Sequence, residues 1–369
     1  MTEKNAVRQI ALNSITGLTN IKVERLLNAV ETEENIFKLS ASDLKKLLCI
    51  SDFDAQNIVS QFRPSLESAE KELEYVLKNN ISILYFKDDD YPSSLLECND
   101  FPIILYVKGN IDFNSNRFIS VVGTRRATER GKRLCTKFVS DLAETEKNIA
   151  IVSGLAFGID VTAHKSALDN NIPTVGVIAG GLNKFYPKEH LYIADKMIDN
   201  GGAVVAESNS DTEPLAPYFV QRNRIIAGLS IATIVVESAI KGGSLLTAKY
   251  ANSYNRDVFA FPSGVGERLS EGCNNIIKYN KAGMIENADD FRYFMGWVMN
   301  GMGKNIAMEY LDLSDDERNI YEIIEHNKTI HIDELTLTLG NINNLQENLL
   351  KLELKGIIES HPGNFYSLV

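Results

Sequence analysis

Six short apolar runs, each rich in β-branched residues, recur at regular intervals through the middle of this 369-residue chain. They cover residues 118–122, 149–152, 174–178, 203–205, 231–236 and 258–261. Stretches between them have helical periodicity, as at residues 158–170, 188–200 and 243–255. Strands that alternate with helices form parallel βαβ units, and helices cover both faces of their sheet. The pattern therefore predicts an α/β fold with an extended, Rossmann-like, doubly wound sheet from residue 118 to about Trp297.

The segment before this sheet has a different pattern. Residues 5–65 consist of short amphipathic helical segments, broken at Thr16-Gly17-Leu18 and at Ser51-Asp52-Phe53. They predict a small helical domain of the SAM or helix-hairpin-helix type, and a plain helical bundle is favoured because the second break has no glycine. Residues 64–80 are expected to form a connecting helix. Two further strand-like runs, predicted to extend the edge of the sheet, lie at residues 81–87 and 103–108.

A small C-terminal domain is predicted after Gly301-Met302-Gly303. Three helices are expected at residues 314–326, 332–339 and 343–354, and a hairpin is expected at residues 356–359 and 365–368, around Pro362-Gly363-Asn364. This order is typical of a winged helix. The third helix offers Lys351, with Lys355 just beyond it, against Glu347 and Glu353. A protein contact or simple packing is therefore favoured over DNA reading by that helix. The predicted domains are residues 1–70, 71–300 and 305–369.

Loops at one edge of the predicted sheet carry glycine together with basic residues. In an open α/β sheet, ligands bind outside the carboxyl ends of the strands. The loops at those ends contain Gly123-Thr124-Arg125-Arg126, Ser153-Gly154 followed by Gly158, Tyr186-Pro187-Lys188, and Lys241-Gly242-Gly243-Ser244 with Thr247 one turn later. A glycine-rich helix start presents backbone N–H groups to phosphate. Each loop alone also suits an ordinary turn, but together they indicate a site for phosphate groups.

A further segment, Phe219 to Ser230, places Arg222-Asn223-Arg224 directly before an apolar helical run. The start of a helix favours anions through its free N–H groups and its dipole. Arg222 and Arg224 are therefore expected to add positive charge for a ligand that carries phosphates. The alternative is an ordinary arginine pair on the surface of an amphipathic helix.

Motifs for common nucleotide chemistry are missing from the sequence. Neither G-x-G-x-x-G nor G-x-x-x-x-G-K-[ST] occurs, so a dinucleotide cofactor and ATP hydrolysis have no support. Asp160 and His164 are four residues apart on one predicted helix, and a structural role is favoured for them because no nucleophile or metal ligand is spaced with them. The sequence thus predicts no catalytic residue, no metal site and no cofactor.

Charge and cysteine content restrict the setting in which the chain works. The net charge is −11, but residues 117–140 contain seven basic residues and only one acid, Glu129. The local field matters more than the total for a polyanionic ligand. Four scattered cysteines, Cys49, Cys98, Cys135 and Cys273, suit buried thiols in a reducing cytoplasm. No apolar run is long enough to span a membrane and no signal sequence is evident, so a cytoplasmic protein is expected.

The combination of these motifs resembles the DNA-processing protein A (DprA/Smf) family. The resemblance rests on Val122 to Arg126, Ser153-Gly154 through His164, Tyr186-Pro187, Arg222 to Ser230 and Gly243 to Ala248, in that order, over about half of the chain. Two departures from the family pattern are Ala206 before Glu207 and Ser263 after Pro262. Neither lies in the predicted phosphate loops.

The resemblance implies a single-stranded DNA-binding protein and not an enzyme. It also implies that the protein protects incoming DNA in natural transformation, helps to load the RecA recombinase and forms a homodimer through the Rossmann-like domain. Apolar residues late in that domain, 276–277, 284–285 and 291–297, suit either the dimer contact or the core.

The residues themselves predict how a strand is bound. Basic side chains are expected to hold phosphates, and Phe219 or Tyr186 is expected to stack on bases. The expected DNA-binding residues are Gly123, Thr124, Arg125, Arg126, Gly154, Tyr186, Lys188, Phe219, Arg222, Asn223, Arg224, Lys241, Gly242, Gly243, Ser244 and Thr247.

One alternative is a Rossmann-like nucleotide phosphoribohydrolase that uses Glu237. The chain departs from the pattern of those enzymes, because Lys249 lies in the region where they need an acid. A dehydrogenase rests on fold analogy alone and is weaker.

Overall fold

The structure, a computed structural model, describes residues 3–297, 313–340, 345–355, 357–361 and 363–368. The chain forms two compact units, the first up to Phe291 and the second from Arg292 onward. The predicted boundary at residue 70 falls inside the first unit and inside a continuous helix. The predicted linker Gly301-Met302-Gly303, and with it the predicted boundary at 300–305, lies outside the described residues.

The first unit is built on one large sheet. Within the described residues its strands are β1 (Ser82–Tyr85), β2 (Ile104–Gly109), β3 (Arg117–Gly123), β4 (Ile149–Ser153), β5 (Thr174–Val177), β6 (Ala203–Ala206), β7 (Ala232–Glu237), β8 (Asp257–Ala260) and β9 (Gly283–Met284). The order across the sheet is β1-β2-β6-β5-β4-β3-β7-β8-β9. Across the sheet, all neighbouring strands between β6 and β9 in this order pair in parallel. At the other edge, β2 pairs antiparallel with β6, and β1 pairs antiparallel with β2. The predicted doubly wound sheet is confirmed.

Helices connect these strands in the manner of a Rossmann-like fold. Those that follow β1 are α6 (Ser93–Leu96), α7 (Glu129–Thr145), α8 (Ile159–Asp169), α9 (Leu191–Asp199), α10 (Ala216–Gln221), α11 (Asn223–Leu229), α12 (Ser244–Ser253), α13 (Glu271–Lys278) and α14 (Ala288–Phe294). The strand order reverses at β3, and crossovers of this kind are right-handed. Helices α7 to α9 therefore cover one face of the sheet, and α11 and α12 cover the other.

The helices before the sheet share its hydrophobic core. They are α1 (Glu3–Ser14), α2 (Asn20–Val30), α3 (Glu33–Ile36), α4 (Ala41–Leu48) and α5 (Asp52–Lys78). The expectation of a separate connecting helix from residue 64 is wrong, because α5 runs through Pro64 without a break. Proline normally disrupts a helix interior. Here the turns on both sides bury apolar side chains in the core, including Ile58, Phe62 and Leu73, and this packing holds the helix together.

Three of the four cysteines are buried as predicted, namely Cys98, Cys135 and Cys273. The prediction is wrong for Cys49, which is exposed where α4 ends in a left-handed backbone conformation. None of the described helices has the length and apolar content needed to cross a membrane.

The second unit has the predicted winged-helix order. Its helices are α15 (Asp315–Asn327), α16 (Ile332–Leu339) and α17 (Leu345–Leu354), and its strands are β10 (Thr329–His331), β11 (Ile358–His361) and β12 (Phe365–Leu368). The strands form a sheet in the order β10-β12-β11. The sequence did not predict β10, because three residues are too few for a periodic pattern. The predicted helix start at Asn343 and hairpin positions Gly356 and Pro362 lie outside the described residues.

Candidate nucleic-acid interface

A pocket of about 290 Å³ opens beyond the carboxyl ends of β3 and β7. The strand order reverses beside this point, where open α/β sheets bind ligands. Ten of the sixteen residues singled out from the sequence line this pocket: Gly123, Thr124, Arg125, Phe219, Arg222, Asn223, Gly242, Gly243, Ser244 and Thr247. Two of the four predicted loops and the segment that leads into α11 therefore converge on one place.

One wall of the pocket is the loop that connects β3 to α7, which we call the arginine loop (residues 124–128). Glu237, the last residue of β7, holds both of its ends. The backbone oxygen of Glu237 accepts from Thr124 N–H at 2.7 Å, and its carboxylate accepts from Thr128 N–H and Thr128 Oγ1–H, each at 2.8 Å. The loop exposes Arg125 and Arg126 to solvent between these anchors. Glu237 thus fixes the backbone that carries two exposed cations.

A β-bulge places Glu237 for this contact. Along β3 and β7, Val122 pairs with Val235, but the next residue, Gly123, pairs with Glu237. The extra residue on β7 shifts the register at the pocket, as bulges beside functional sites often do. Glu237 is 3% exposed, so its carboxylate is used inside the protein.

Aromatic rings form a second wall. The Arg125 guanidinium lies 5.0 Å from the centre of the Phe219 ring, and the rings of Phe219 and Tyr186 meet edge to face at 5.8 Å. Tyr186 is exposed and, with Lys188, lines an adjoining pocket of about 550 Å³. Cation and ring therefore lie side by side, in an arrangement that suits a phosphate next to a base.

The glycine-rich loop before α12 forms the third wall. The Gly242 N–H donates to the carbonyl oxygen of Ala239 at 2.8 Å, whereas Gly243 and Ser244 lie at the start of this ten-residue helix, where backbone N–H groups lack partners within the helix. The Ser244 hydroxyl donates to Ser238 Oγ at 2.8 Å and is buried, whereas the neighbouring Lys241 is exposed. This loop can thus offer N–H donors and one cation.

Arg222, an expected DNA-binding residue, is largely buried. Its side chain is only 6% exposed and forms part of the pocket floor. Nη1 donates to the carbonyl oxygens of Gly154, at 2.8 Å, and Val177, while Nε donates to Asn223 Oδ1 at 3.1 Å. Burial lowers the pKa of Arg222 to about 10. The guanidinium is thus used to join strand ends to α11, and it does not project as a free cation.

Arg224, also an expected DNA-binding residue, is 8% exposed and is not among the residues that line the pocket. Its guanidinium pairs with the carboxylate of Glu207 and donates to the carbonyl oxygen of Asp100. The apolar run that follows, residues 225–229, is buried. The whole of α11 is therefore an interior helix, and both arginines at its start are drawn into the protein.

Gly154 and Gly158 are required by close packing. A side chain at Gly154 would overlap the Arg222 guanidinium. Gly158 has a φ of +80°, and a Cβ there would overlap the carbonyl of Thr124. These glycines shape the pocket from behind and do not face a ligand.

Asp160 and His164 have structural surroundings, as the sequence favoured, but they do not pair with each other. The Asp160 carboxylate accepts from the backbone N–H groups of Ala156, Gly123 and Gly154 near Arg222, and burial raises its pKa. His164 Nδ1 lies 2.7 Å from Thr174 Oγ1. Burial lowers the pKa of His164 to about 3, so its imidazole is neutral.

Six apolar residues of the pocket lining were not among the expected DNA-binding residues, and two of them, Val220 and Leu246, are exposed to solvent. A signal was available for both. Val220 directly follows Phe219, and Leu246 lies within the first turn of α12, between Ser244 and Thr247. They extend the apolar surface that the aromatic rings begin.

Four exposed cations surround these walls: Arg125, Arg126, Lys188 and Lys241. Within the described part of the chain, none of the four forms an ion pair. In a chain with a net charge of −11, unpaired cations gathered at one edge of a sheet create a local positive field. The site is therefore suited to an anionic ligand that also carries flat rings.

Residues 82–296 match the family described as DNA recombination-mediator protein A, and residues 307–364 match the DprA winged helix domain. Protein Smf of Escherichia coli is 33% identical over 85% of this chain and 84% of its own length. The structure of DNA processing protein A from Streptococcus pneumoniae is 32% identical, with a TM-score of 0.63, and covers 77% of this chain and 96% of that protein.

A second similar structure, of DNA processing protein A from Helicobacter pylori, concerns the way in which that protein binds single-stranded DNA. It is 26% identical, with a TM-score of 0.52, and covers 58% of this chain and 95% of that protein. The first family match spans more than half of the chain and contains every wall of the pocket. The chain therefore belongs to the family of DNA recombination-mediator protein A.

Proposed function

We propose that this protein binds single-stranded DNA at the pocket between β3 and β7. Phosphates lie against Arg125, Arg126, Lys188 and Lys241, and bases lie against the corner formed by Phe219 and Tyr186. The observation that carries the proposal is this aromatic corner among unpaired, exposed cations. A charged groove beside aromatic platforms is the usual means of binding single strands with little sequence preference.

The shape of the site favours a single strand over a duplex. Bases in a duplex are already stacked on each other, so their faces are not free to meet Phe219 or Tyr186. The helix in the recognition position of the winged helix, α17, supports the same choice. Its Lys351 is paired with Glu347 at 2.7 Å, which leaves little charge for a DNA groove.

We propose that the protein is not an enzyme. The acids near the pocket hold the fold together, since Glu237 binds Thr128 and Asp160 accepts backbone N–H groups. His164 is buried and neutral. The phosphoribohydrolase alternative needs Glu237 to act on a ligand, and its hydrogen bonds to the arginine loop weigh against that role. A nucleotide-hydrolysis assay that detects turnover, lost in Glu237→Gln, would restore the alternative.

In the cell, we propose that the protein works in the cytoplasm, protects incoming DNA in natural transformation and helps to load the RecA recombinase. Membership of a family of recombination mediators supports this role. RecA filament formation on DNA coated with a single-strand-binding protein tests it. The protein should shorten the lag of filament formation, and an unchanged lag would contradict the proposal.

We also propose a homodimer through the first unit, which contains the large sheet. Of the apolar residues considered for this contact in the first unit, Ile276, Ile285 and Phe291 are buried in the core, whereas Met284 is exposed. Met284 lies on β9, the last strand at its edge of the sheet among the described residues. An edge strand with an exposed apolar side chain favours pairing with a second copy. Light scattering at micromolar concentration should give the mass of a dimer, and a strict monomer would refute this part.

The binding proposal is tested by fluorescence anisotropy with labelled single- and double-stranded oligonucleotides. We expect tighter binding of the single strand and a log–log salt slope that steepens by about 0.7 for each phosphate contact. Arg125→Gln should weaken binding, whereas Lys351→Gln, the matched control in the winged helix, should not. Equal affinity for duplex, or affinity that does not change with salt, would contradict the proposal.

A further inference from the structure

We propose that the exposed face of α7 is a second binding surface, which takes the phosphates of the DNA strand beyond the pocket. We call it the α7 track and define it by Arg126, Arg130 and Arg133. The inference rests on the proposed function, because the occupant is the same strand that enters the pocket.

The track is continuous with the pocket wall. Arg126 lies on the arginine loop, and α7 begins three residues later at Glu129. Arg130 and Arg133 are three residues apart and share one side of this helix, and both are exposed. A rise of about 1.5 Å per residue places Arg133 about 4.5 Å beyond Arg130 along the helix axis. A strand that leaves the pocket past Arg125 thus meets further cations at once.

Among the residues that the structure describes, the cations of the track have no acidic partner. Glu129 pairs with Lys132 at 2.7 Å, so the one acid at the start of α7 is already used. Arg130 donates one N–H to the carbonyl oxygen of Pro262 at 3.0 Å, which leaves its charge uncompensated. Within the described residues, Arg126 and Arg133 form no ion pair.

Two other helices of the chain pair an exposed cation with an acid on the same helix. Arg63 pairs with Glu67 on α5 at 2.8 Å, and Lys351 pairs with Glu347 on α17 at 2.7 Å, each four residues apart. Arg130 and Arg133, three residues apart on α7, have no such partner among the described residues. Like charges that are neighbours on a helix repel each other by about 0.2–0.5 kcal/mol per pair. A polyanion lying along the helix offsets that repulsion, which an ordinary solvated face does not.

The structure also holds α7 firmly in place. Its first turn is capped by Thr128 Oγ1, which accepts from Gly131 N–H at 3.0 Å and donates to Glu237. Its inner face buries Cys135, Phe138, Val139 and Leu142. Phe138 meets Phe261 and Phe291 edge to face, at 5.8 and 5.6 Å. A rigid helix presents its cations without an ordering cost at the moment of binding.

The test compares labelled oligo(dT) of about 5 nucleotides, which fills the pocket, with oligo(dT) of about 20 nucleotides, which also reaches the track. The variant is Arg130→Gln with Arg133→Gln. We expect it to bind the short strand as wild type does. For the long strand it should lose several-fold in affinity, and its log–log salt slope should fall by about 1.4, or about 0.7 for each lost contact.

The matched control is Lys165→Gln with Lys196→Gln. Both lysines are exposed on α8 and α9, and the double change removes the same net charge away from the pocket. Thermal unfolding checks that both double variants fold. If the track variant binds the long strand as tightly as wild type does, the α7 track is overturned while the proposed function stands. The same conclusion follows if the control variant loses as much affinity for the long strand as the track variant does. If wild type binds neither strand, the proposed function fails with it.

Discussion

Arg222 provides the sharpest test of the division between buried and exposed arginines. In Arg222→Ala, the carbonyl oxygens of Gly154 and Val177 lose their donor inside the protein. Each such loss costs about 1–3 kcal/mol. Asp160 also loses the cation that partly offsets the effect of burial on its carboxylate. Breaking a buried charge interaction costs about 3–5 kcal/mol, and these effects overlap, so we expect a total loss of about 3–5 kcal/mol in the free energy of unfolding.

Arg125→Ala should behave in the opposite way. Arg125 is exposed and its main contact is the Phe219 ring, so stability should change by about 0.5 kcal/mol or less. Binding of single-stranded DNA should nevertheless weaken. Urea unfolding followed by circular dichroism measures stability, and anisotropy at a temperature where both variants are folded measures binding. If Arg222→Ala unfolds at the wild-type midpoint yet loses binding, Arg222 contacts the ligand and our reasoning is wrong.

Three further perturbations test residues behind the pocket. The pKa of His164 is lowered from 6.5 to about 3, because burial favours the neutral imidazole. The stability that depends on neutral His164 is therefore complete above pH 6.5 and is lost as the pH falls toward 3. Over that range the free energy of unfolding should fall by up to about 1.4 kcal/mol per pH unit. His164→Gln should flatten this dependence in urea midpoints measured between pH 4 and 7, and an unchanged slope would exclude His164 as its source. Glu237→Ala removes both carboxylate acceptors of Thr128, so it should lower the free energy of unfolding by about 2–4 kcal/mol and weaken DNA binding. Glu237→Gln should restore part of the stability and part of the binding. Equal effects of the two variants in thermal unfolding and anisotropy would refute the anchoring role. Gly154→Ala should lower the free energy of unfolding by about 1–3 kcal/mol, and with it the melting temperature, because the added Cβ overlaps the Arg222 guanidinium. An unchanged melting temperature would mean that the guanidinium has room to move.

The sheet could be predicted because its signal is periodic and local. Each β-branched run from residue 118 onward became a strand, and the segments between them became helices. The position of the pocket followed from one topological rule, since loops at the carboxyl ends of parallel strands meet at the same edge. The convergence of Arg125, Gly243 and Phe219 on that edge needed no knowledge of side-chain packing.

The burial of Arg222 and Arg224 depends on packing and was not predicted. Charge at the start of a helix suggests an anion site only if that end is open to solvent. The following run, Ile225 to Leu229, has no polar face, and a short helix that is apolar all round is buried. This signal was in the sequence, and it indicates that the arginines before the run are drawn inward with it.

Glu237 illustrates a second limit of sequence reasoning. An acid at the end of a strand beside a glycine-rich loop has the appearance of a catalytic residue. Its partner, Thr128, is 109 positions away in the chain. The β-bulge that brings them together depends on the pairing of β3 with β7. Contacts of this kind arise only when the fold is complete, so the anchoring of the arginine loop could not be read from either segment alone.

On the proposed function, the acidic composition and the exposed cations beside the pocket together select single strands. A net charge of −11 opposes the approach of any nucleic acid, so binding must come from a small area where cations are concentrated. A duplex meets those cations but cannot turn its bases toward Phe219 and Tyr186. Its phosphates are still repelled by the negative charge on the rest of the protein surface. A single strand gains base stacking of about 1–3 kcal/mol for each base at the same cations. Negative charge elsewhere on the chain thus increases the preference for single strands, and reversing it with added surface lysines should raise duplex affinity more than single-strand affinity.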